Sequence, residues 1–64
     1  MYSMDEAQAM LEREGGSLEH YDPTVLVFVD RQLVADSESE DSAKDIVSRA
    51  RSYGEEADFY IWKG

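Results

Sequence analysis

The sequence predicts a small two-layer α+β domain with two helices and a three-stranded sheet, in the order helix, strand, strand, helix, strand. The run from Thr24 to Val29 is rich in valine and phenylalanine, which favour a pleated strand over a helix. Two other segments carry apolar residues at helical spacing, and an aromatic run lies near the end of the chain. With 64 residues, the chain is predicted to form one domain, residues 1–64.

The first helix is predicted to begin after Ser3. Ser3 and Glu6 have the spacing of a capping box, in which each side chain accepts from the other residue's backbone N–H. The apolar residues that follow share one face of a helix, with Met10 at its edge: Met4, Ala7, Met10 and Leu11. Gly15-Gly16 is predicted to end the helix, because glycine readily adopts the left-handed conformation found there.

The first two strands are predicted to form a hairpin. Asp22-Pro23 favours an extended or turn conformation just before the strand Thr24–Val29. This strand is apolar on both faces, so it is either covered on both sides or covered on one side with the other reserved for a partner. Asp30-Arg31-Gln32 is predicted as a tight turn, and Leu33-Val34-Ala35 as the returning strand.

The second helix is predicted to begin within an acidic, serine-rich segment, Asp36–Ser42. Ser37 and Glu40 could form a second capping box, and Ser39 is the alternative cap. The apolar stripe of this helix has four members: Ala43, Ile46, Val47 and Ala50. Gly54 is the predicted left-handed residue at its end.

The third strand is predicted at Phe59–Trp62. If it pairs with the first strand, the first strand is central, in an antiparallel or mixed sheet, and a crossover connection places the second helix on one face. The first helix lies on that face or on the opposite one, and the sequence leaves this open. If both helices share a face, Phe28, Tyr60 and Trp62 form an exposed aromatic surface suited to binding a partner.

This layout resembles a family of small uncharacterised prokaryotic domains that have the same order of elements. The resemblance spans Met4 to Trp62 and rests on Val25–Asp30, Leu33–Ser37, the second helix and Phe59–Ile61. Family members tend to carry a glycine in the hairpin turn, where this chain has Arg31-Gln32. The resemblance implies a fold and brings no activity with it.

Charge is the most distinctive global property of the chain. Fifteen acidic residues against six basic ones give a net charge of −9. This argues against direct binding of nucleic acid or an anionic membrane, because both require a cationic surface. It favours a basic protein partner, or imitation of the charge of a nucleic acid. General solubility and adaptation to high salt are the competing interpretations of the same charge.

No catalytic or cofactor motif is recognisable in the sequence. It has no cysteine, one histidine and no glycine-rich phosphate loop, so we expect a non-enzymatic protein without cofactor or metal. The N-terminal residues are acidic and lack the apolar segment of a signal peptide, which predicts a cytoplasmic protein.

The sequence therefore predicts a small acidic protein-binding module. Its sharpest form is a phage-type inhibitor or nucleic-acid mimic, of the anti-CRISPR or anti-restriction class, which competes with phosphates for arginine and lysine on its target. The predicted binding residues are acids on the second helix and its flanking segments: Asp36, Glu38, Glu40, Asp41, Asp45, Glu55, Glu56 and Asp58.

Two alternatives remain open at this stage. A structural or oligomerising module would use the aromatic surface of Phe28, Tyr60 and Trp62, for example in a homodimer. An antitoxin-like regulatory subunit would neutralise a basic toxin and would show the same dependence on charge as the inhibitor.

Overall fold

Two helices, one short 3₁₀ helix and three strands make up the computed structural model, which describes residues 1–64. The elements are α1 (Met4–Arg13), the 3₁₀ helix (Leu18–His20), β1 (Thr24–Val29), β2 (Gln32–Glu38), α2 (Glu40–Ser52) and β3 (Ala57–Trp62). The predicted α+β class and the predicted order of helices and strands are confirmed.

The three strands form one sheet in the order β2-β1-β3. Strand β1 pairs antiparallel with both neighbours, so the predicted central position of the first strand is confirmed and the sheet is antiparallel. Strands β2 and β3 run in the same direction on either side of β1, and α2 connects them across the sheet.

The two helices lie on opposite faces of the sheet. One core lies between α1 and the sheet: Tyr2, Ala7, Met10, Leu11, Leu18, Leu26 and Phe28. A second core lies under α2: Val25, Val27, Ala43, Val47, Ala50 and Ala57. Because β1 is apolar on both faces, each face needs a cover, and each helix supplies one. The sheet therefore has a helical layer on either side, one layer more than the two-layer description.

This arrangement corrects the expectation of an exposed aromatic surface. That surface required both helices on one face, and α1 instead covers the side that carries Phe28. Phe28 has no exposed surface, and its ring meets the ring of Tyr2 edge-on at 5.8 Å between centroids. Tyr60 and Trp62 are partly buried against the same core. Phe28 is thus a core residue and not a contact for a partner.

Local interactions set the ends of α1 and the last turn of α2. Ser3 Oγ accepts from the Glu6 N–H at 3.2 Å and Glu6 Oε1 accepts from the Ser3 N–H at 2.9 Å, which confirms the capping box. Gly15 and Gly54 both have φ of +83°, a left-handed conformation that glycine adopts without strain.

Met4 belongs to the predicted apolar stripe of α1, yet it lies in the first turn of the helix and is 53% exposed.

Helix α2 begins at one of the two predicted N-caps and not at the other. Ser39 Oγ accepts from the Ser42 N–H at 3.1 Å, so Ser39 is the cap and the box with Ser37 does not form. Ser37 lies instead in β2, which continues to Glu38 through two register shifts. Ser37 has φ of +60°, and such an irregularity lets a strand absorb an extra residue before pairing resumes.

The β1–β2 turn consists of two residues, Asp30 and Arg31. Their φ values are +51° and +64°, and Val29 pairs directly with Gln32. Positive φ at both central positions is the pattern of a type I′ turn, whose twist matches the twist of paired strands. The chain makes this turn without glycine, and Gln32, predicted in the turn, is the first residue of β2.

Candidate functional site

The eight predicted acidic residues fall into two groups at the two ends of α2. Helix α2 has 13 residues and is therefore about 20 Å long. The group near its start has five members: Asp36, Glu38, Glu40, Asp41 and Asp45. The group beyond its end has three members: Glu55, Glu56 and Asp58. The structure therefore separates the predicted site into two parts.

Half of these acids already have a cationic partner. The side-chain ion pairs are Glu40–Lys44, Asp45–Arg49, Glu56–Arg31 and Asp58–Arg51. Solvent-exposed pairs contribute only about 0–1 kcal/mol each, so an incoming cation could replace Lys44 or Arg49 at little cost. Asp36, Glu38 and Asp41 have no cation within 4.0 Å, and they form the unpaired part of the group at the start of α2. Glu55 is the unpaired member of the other group.

Asp58 has a structural role that distinguishes it from the other seven acids. Its Oδ2 lies 2.9 Å from the N-terminal ammonium group of Met1, and its Oδ1 accepts from the Phe59 N–H at 2.8 Å. Burial raises the pKa of Asp58, but the hydrogen bonds from the N-terminus and Phe59, with the charge of Arg51, lower the pKa below its ordinary value. Its side chain is only 21% exposed, so Asp58 is less accessible to a partner than the other three ion-paired acids, Glu40, Asp45 and Glu56.

The outer edge of β3 is largely occupied by interactions within the chain. The Tyr2 N–H donates to the Phe59 carbonyl at 2.9 Å, and Asp58 accepts from the Phe59 N–H. Arg51 Nε donates to the Ala57 carbonyl at 2.9 Å. An edge whose backbone groups are already bonded is a poor template for an added strand.

The outer edge of β2 is interrupted in a different way. Glu14, just beyond α1, accepts from the Leu33 N–H at 3.2 Å. Two register shifts break the regular pairing of the strand with β1, one near Ser37 and the other between Leu33 and Ala35. Both features disfavour strand addition, so side-chain surfaces are the better candidates for binding.

A groove between α1 and the 3₁₀ helix is a surface that the sequence did not predict. Its volume is about 400 Å³. Its lining combines three apolar residues and four polar ones: Met4, Leu18, Trp62, Asp5, Gln8, Ser17 and Glu19. We refer to it as the Trp62 groove. Trp62 is the one predicted binding residue in it. Helical spacing alone puts Met4, Asp5 and Gln8 near one another, whereas only the fold brings Trp62 beside them.

Hydrogen bonds hold the lining of the Trp62 groove in place. Gln8 Oε1 accepts from the Leu18 N–H at 2.9 Å, and Gln8 Nε2 donates to Ser17 Oγ at 3.1 Å. Trp62 Nε1 donates to the Tyr21 carbonyl at 2.9 Å. The side chains that bind α1 to the 3₁₀ helix and fix the indole are therefore already ordered before any ligand arrives, which reduces the entropy lost on binding.

A second cleft lies at the end of the sheet where α2 begins. It has a volume of about 480 Å³ and is mostly polar: His20, Tyr21, Asp22, Pro23, Thr24, Ser37 and Glu38. Glu38 links this cleft to the unpaired acids at the start of α2. No group of three or more His, Asp or Glu side chains is arranged to hold a metal ion.

Comparison with known proteins identified no match from which a function could be transferred. The chain matches no protein-family model, no curated protein and no solved structure. Neither helix combines the length and the apolarity that crossing a membrane requires.

Proposed function

We propose that this domain is a non-enzymatic protein-binding module that uses its negative charge to engage a basic surface of another protein in the cytoplasm. One observation carries the proposal. Only four of the fifteen acidic side chains take part in ion pairs, so eleven carboxylates have no cationic partner within 4.0 Å. A surface with so much unneutralised charge attracts a basic partner and repels an acidic one.

The sharper form of the proposal is an inhibitor that imitates a nucleic acid, of the kind that phages direct against CRISPR or restriction complexes. The unpaired carboxylates Asp36, Glu38 and Asp41 support it, because they lie close together in the chain around the start of α2. Carboxylates form charge-assisted hydrogen bonds with arginine and lysine, as phosphates do. Carboxylates in such a segment compete for side chains that otherwise hold a nucleic-acid backbone.

An oligomerising role for the aromatic surface has less support. Phe28 is fully buried, and Tyr60 and Trp62 pack partly against the α1 core. The antitoxin-like alternative shares the charged surface, and the identity of the captured partner distinguishes it from the inhibitor.

The test is affinity capture of the tagged protein from a lysate of its host, at about 0.1 M and about 1 M salt. We expect a basic, nucleic-acid-handling protein to be retained at low salt and released at high salt. The double variant Glu38→Gln with Asp41→Asn should weaken retention. The matched control, Glu12→Gln with Glu14→Gln, removes the same charge from two exposed acids outside the predicted site, keeps an acceptor oxygen at each position and should retain the partner. A partner held equally at both salt concentrations, or no partner at all, would contradict the proposal.

A further inference from the structure

The Trp62 groove presents an aromatic ring whose polar group is already engaged. The only hydrogen-bonding group of an indole is its N–H, and in Trp62 this N–H donates to the Tyr21 carbonyl at 2.9 Å. The ring therefore offers only carbon surface to the groove. Leu18 is buried at the groove, and Met4, which also lines it, is 53% exposed. A ligand that enters here meets an aromatic and aliphatic surface.

Two carboxylates lie at the rim of this apolar surface. Asp5 comes from the first turn of α1 and Glu19 from the 3₁₀ helix, so they are supplied by two separate elements. Both residues are exposed, and neither has a cationic partner within 4.0 Å. Gln8 is not free to serve as a third ligand, because its side chain already bonds Ser17 and Leu18.

The aromatic ring and the two carboxylates together determine which ligand chemistry fits the groove. An aromatic ring attracts a cation placed over its face, and carboxylates accept hydrogen bonds from the same cation. Arginine fits both requirements, because its guanidinium group is planar, stacks on aromatic rings and carries five donors in a fixed geometry. Its aliphatic stem would lie against Met4 and Leu18.

We infer that the Trp62 groove is the docking site for one arginine side chain of the basic partner protein, held between the Trp62 ring and the carboxylates of Asp5 and Glu19. The inference rests on the proposed function and adds a specific anchor to it. The positive end of the α1 dipole opposes a cation at this position. Asp5 and Glu6 in the first turn offset that field.

The first test uses acetyl-arginine-amide as the probe and the intact protein. Trp62 is the only tryptophan, so its fluorescence and the NMR signal of its indole N–H report on the groove directly. We expect a saturable change in both, with shifted amide signals at Met4, Gln8 and Glu19. Acetyl-citrulline-amide has nearly the same shape without the charge, and it should bind about tenfold more weakly or not at all.

The rim variant Asp5→Asn with Glu19→Gln should weaken the binding of acetyl-arginine-amide about tenfold. The control Glu12→Gln with Glu14→Gln carries the same net charge, lies outside the groove lining and should bind as the wild type does. Circular dichroism and urea midpoints check that both variants are folded. Signal changes that do not saturate, or that are the same for arginine and citrulline, would overturn the inference.

Partner capture, repeated with the variants, distinguishes this inference from the proposed function. If the rim variant loses the partner at low salt while the control retains it, the groove is the anchor. If the rim variant retains the partner while Glu38→Gln with Asp41→Asn loses it, the acidic module stands and the groove inference fails. If neither variant affects retention and salt has no effect, both ideas fail together.

Discussion

Asp30 and Glu56 are joined by two hydrogen bonds that run in opposite directions. The Asp30 N–H donates to the Glu56 carbonyl at 2.7 Å, and the Glu56 N–H donates to Asp30 Oδ1 at 3.2 Å. The first residue lies at the β1–β2 turn and the second in the connection between α2 and β3. Two loops that are far apart in the sequence therefore behave as one unit.

The Asp30 side chain is expected to be the main stabilising group of this unit. Asp30→Ala removes the acceptor and leaves a β-carbon at φ of +51°, so we expect a loss of about 1–2 kcal/mol in the free energy of unfolding. Asp30→Asn keeps an acceptor oxygen and tolerates the left-handed conformation, so its loss should be less than half as large. Urea denaturation measures both. Equal losses for the two variants would mean that a neutral amide oxygen cannot replace the carboxylate, and the expected advantage of asparagine would be wrong.

Replacing Arg31 by glycine is expected to stabilise the fold. Arg31 has φ of +64°, which strains any residue with a β-carbon, and Arg31→Gly removes that strain. The ion pair lost with Glu56, at 3.4 Å between partly exposed side chains, is worth about 0–1 kcal/mol. We expect a net gain of roughly 0.5 kcal/mol in urea denaturation.

Arg31→Ala is the matched control for this change, since it loses the ion pair and keeps the strain. It should be less stable than the wild type. The expected order of stability is glycine, arginine, alanine, and an alanine variant as stable as the glycine variant would show that the turn is not strained.

The hydroxyl group of Tyr2 is expected to contribute nothing to stability at neutral pH. Tyr2 is 9% exposed and its hydroxyl oxygen is buried without a hydrogen-bond partner, a situation that costs about 1–3 kcal/mol. Tyr2→Phe keeps the ring contact with Phe28, so we expect a change between zero and a gain of about 1 kcal/mol. The control is Tyr53→Phe, at a residue that is 78% exposed, where the change should stay within about 0.5 kcal/mol. A clear loss in Tyr2→Phe would reveal a partner for the hydroxyl.

The buried Tyr2 hydroxyl is also expected to lower the stability of the fold at alkaline pH. Burial, and then the charge of Glu56, raise the pKa of Tyr2 above its ordinary value of 10.0. Below the unfolded pKa the hydroxyl is neutral in both states and has no pH-dependent effect. As the pH rises towards the folded pKa, the unfolded state ionises first, so the hydroxyl lowers the stability of the fold. The alkaline unfolding transition, followed by circular dichroism, should therefore move to higher pH in Tyr2→Phe.

Acid is expected to weaken the fold through Asp58. Its pKa is held below the ordinary value, so its contribution is present above the unfolded pKa of about 4 and is lost as the pH falls through the folded value. Asp58→Asn should be less stable than the wild type at pH 7 by about 1 kcal/mol. The difference should shrink below about pH 4.

Glu55→Gln is the control for Asp58→Asn, because Glu55 takes part in no ion pair. Its stability at pH 7 should equal that of the wild type. If the difference between Asp58→Asn and the wild type did not change with pH, the ion pair with the N-terminus would not contribute to folding.

The candidate site was only partly predictable from the sequence. The acids themselves are evident from composition, but whether each is already paired depends on where Arg31, Lys44, Arg49 and Arg51 lie in the fold. The i, i+4 pairs within α2 follow from helical spacing. The contact between Asp58 and the N-terminus does not, and neither does the Trp62 groove, which needs three segments to meet.

The sequence by itself determined the features that depend on neighbours a few residues apart. Interactions within a single turn account for the capping box of Ser3 and Glu6 and for the left-handed Gly15 and Gly54. The apolar stripes of both helices extend over about two turns, and β1 is marked by its own apolar run. Only the tertiary structure decided that α1 lies opposite α2, which buries Phe28 and puts Trp62 beside α1. The physical reason is that periodicity shows that a face must be buried, whereas the partner that buries it is chosen by packing across the whole fold.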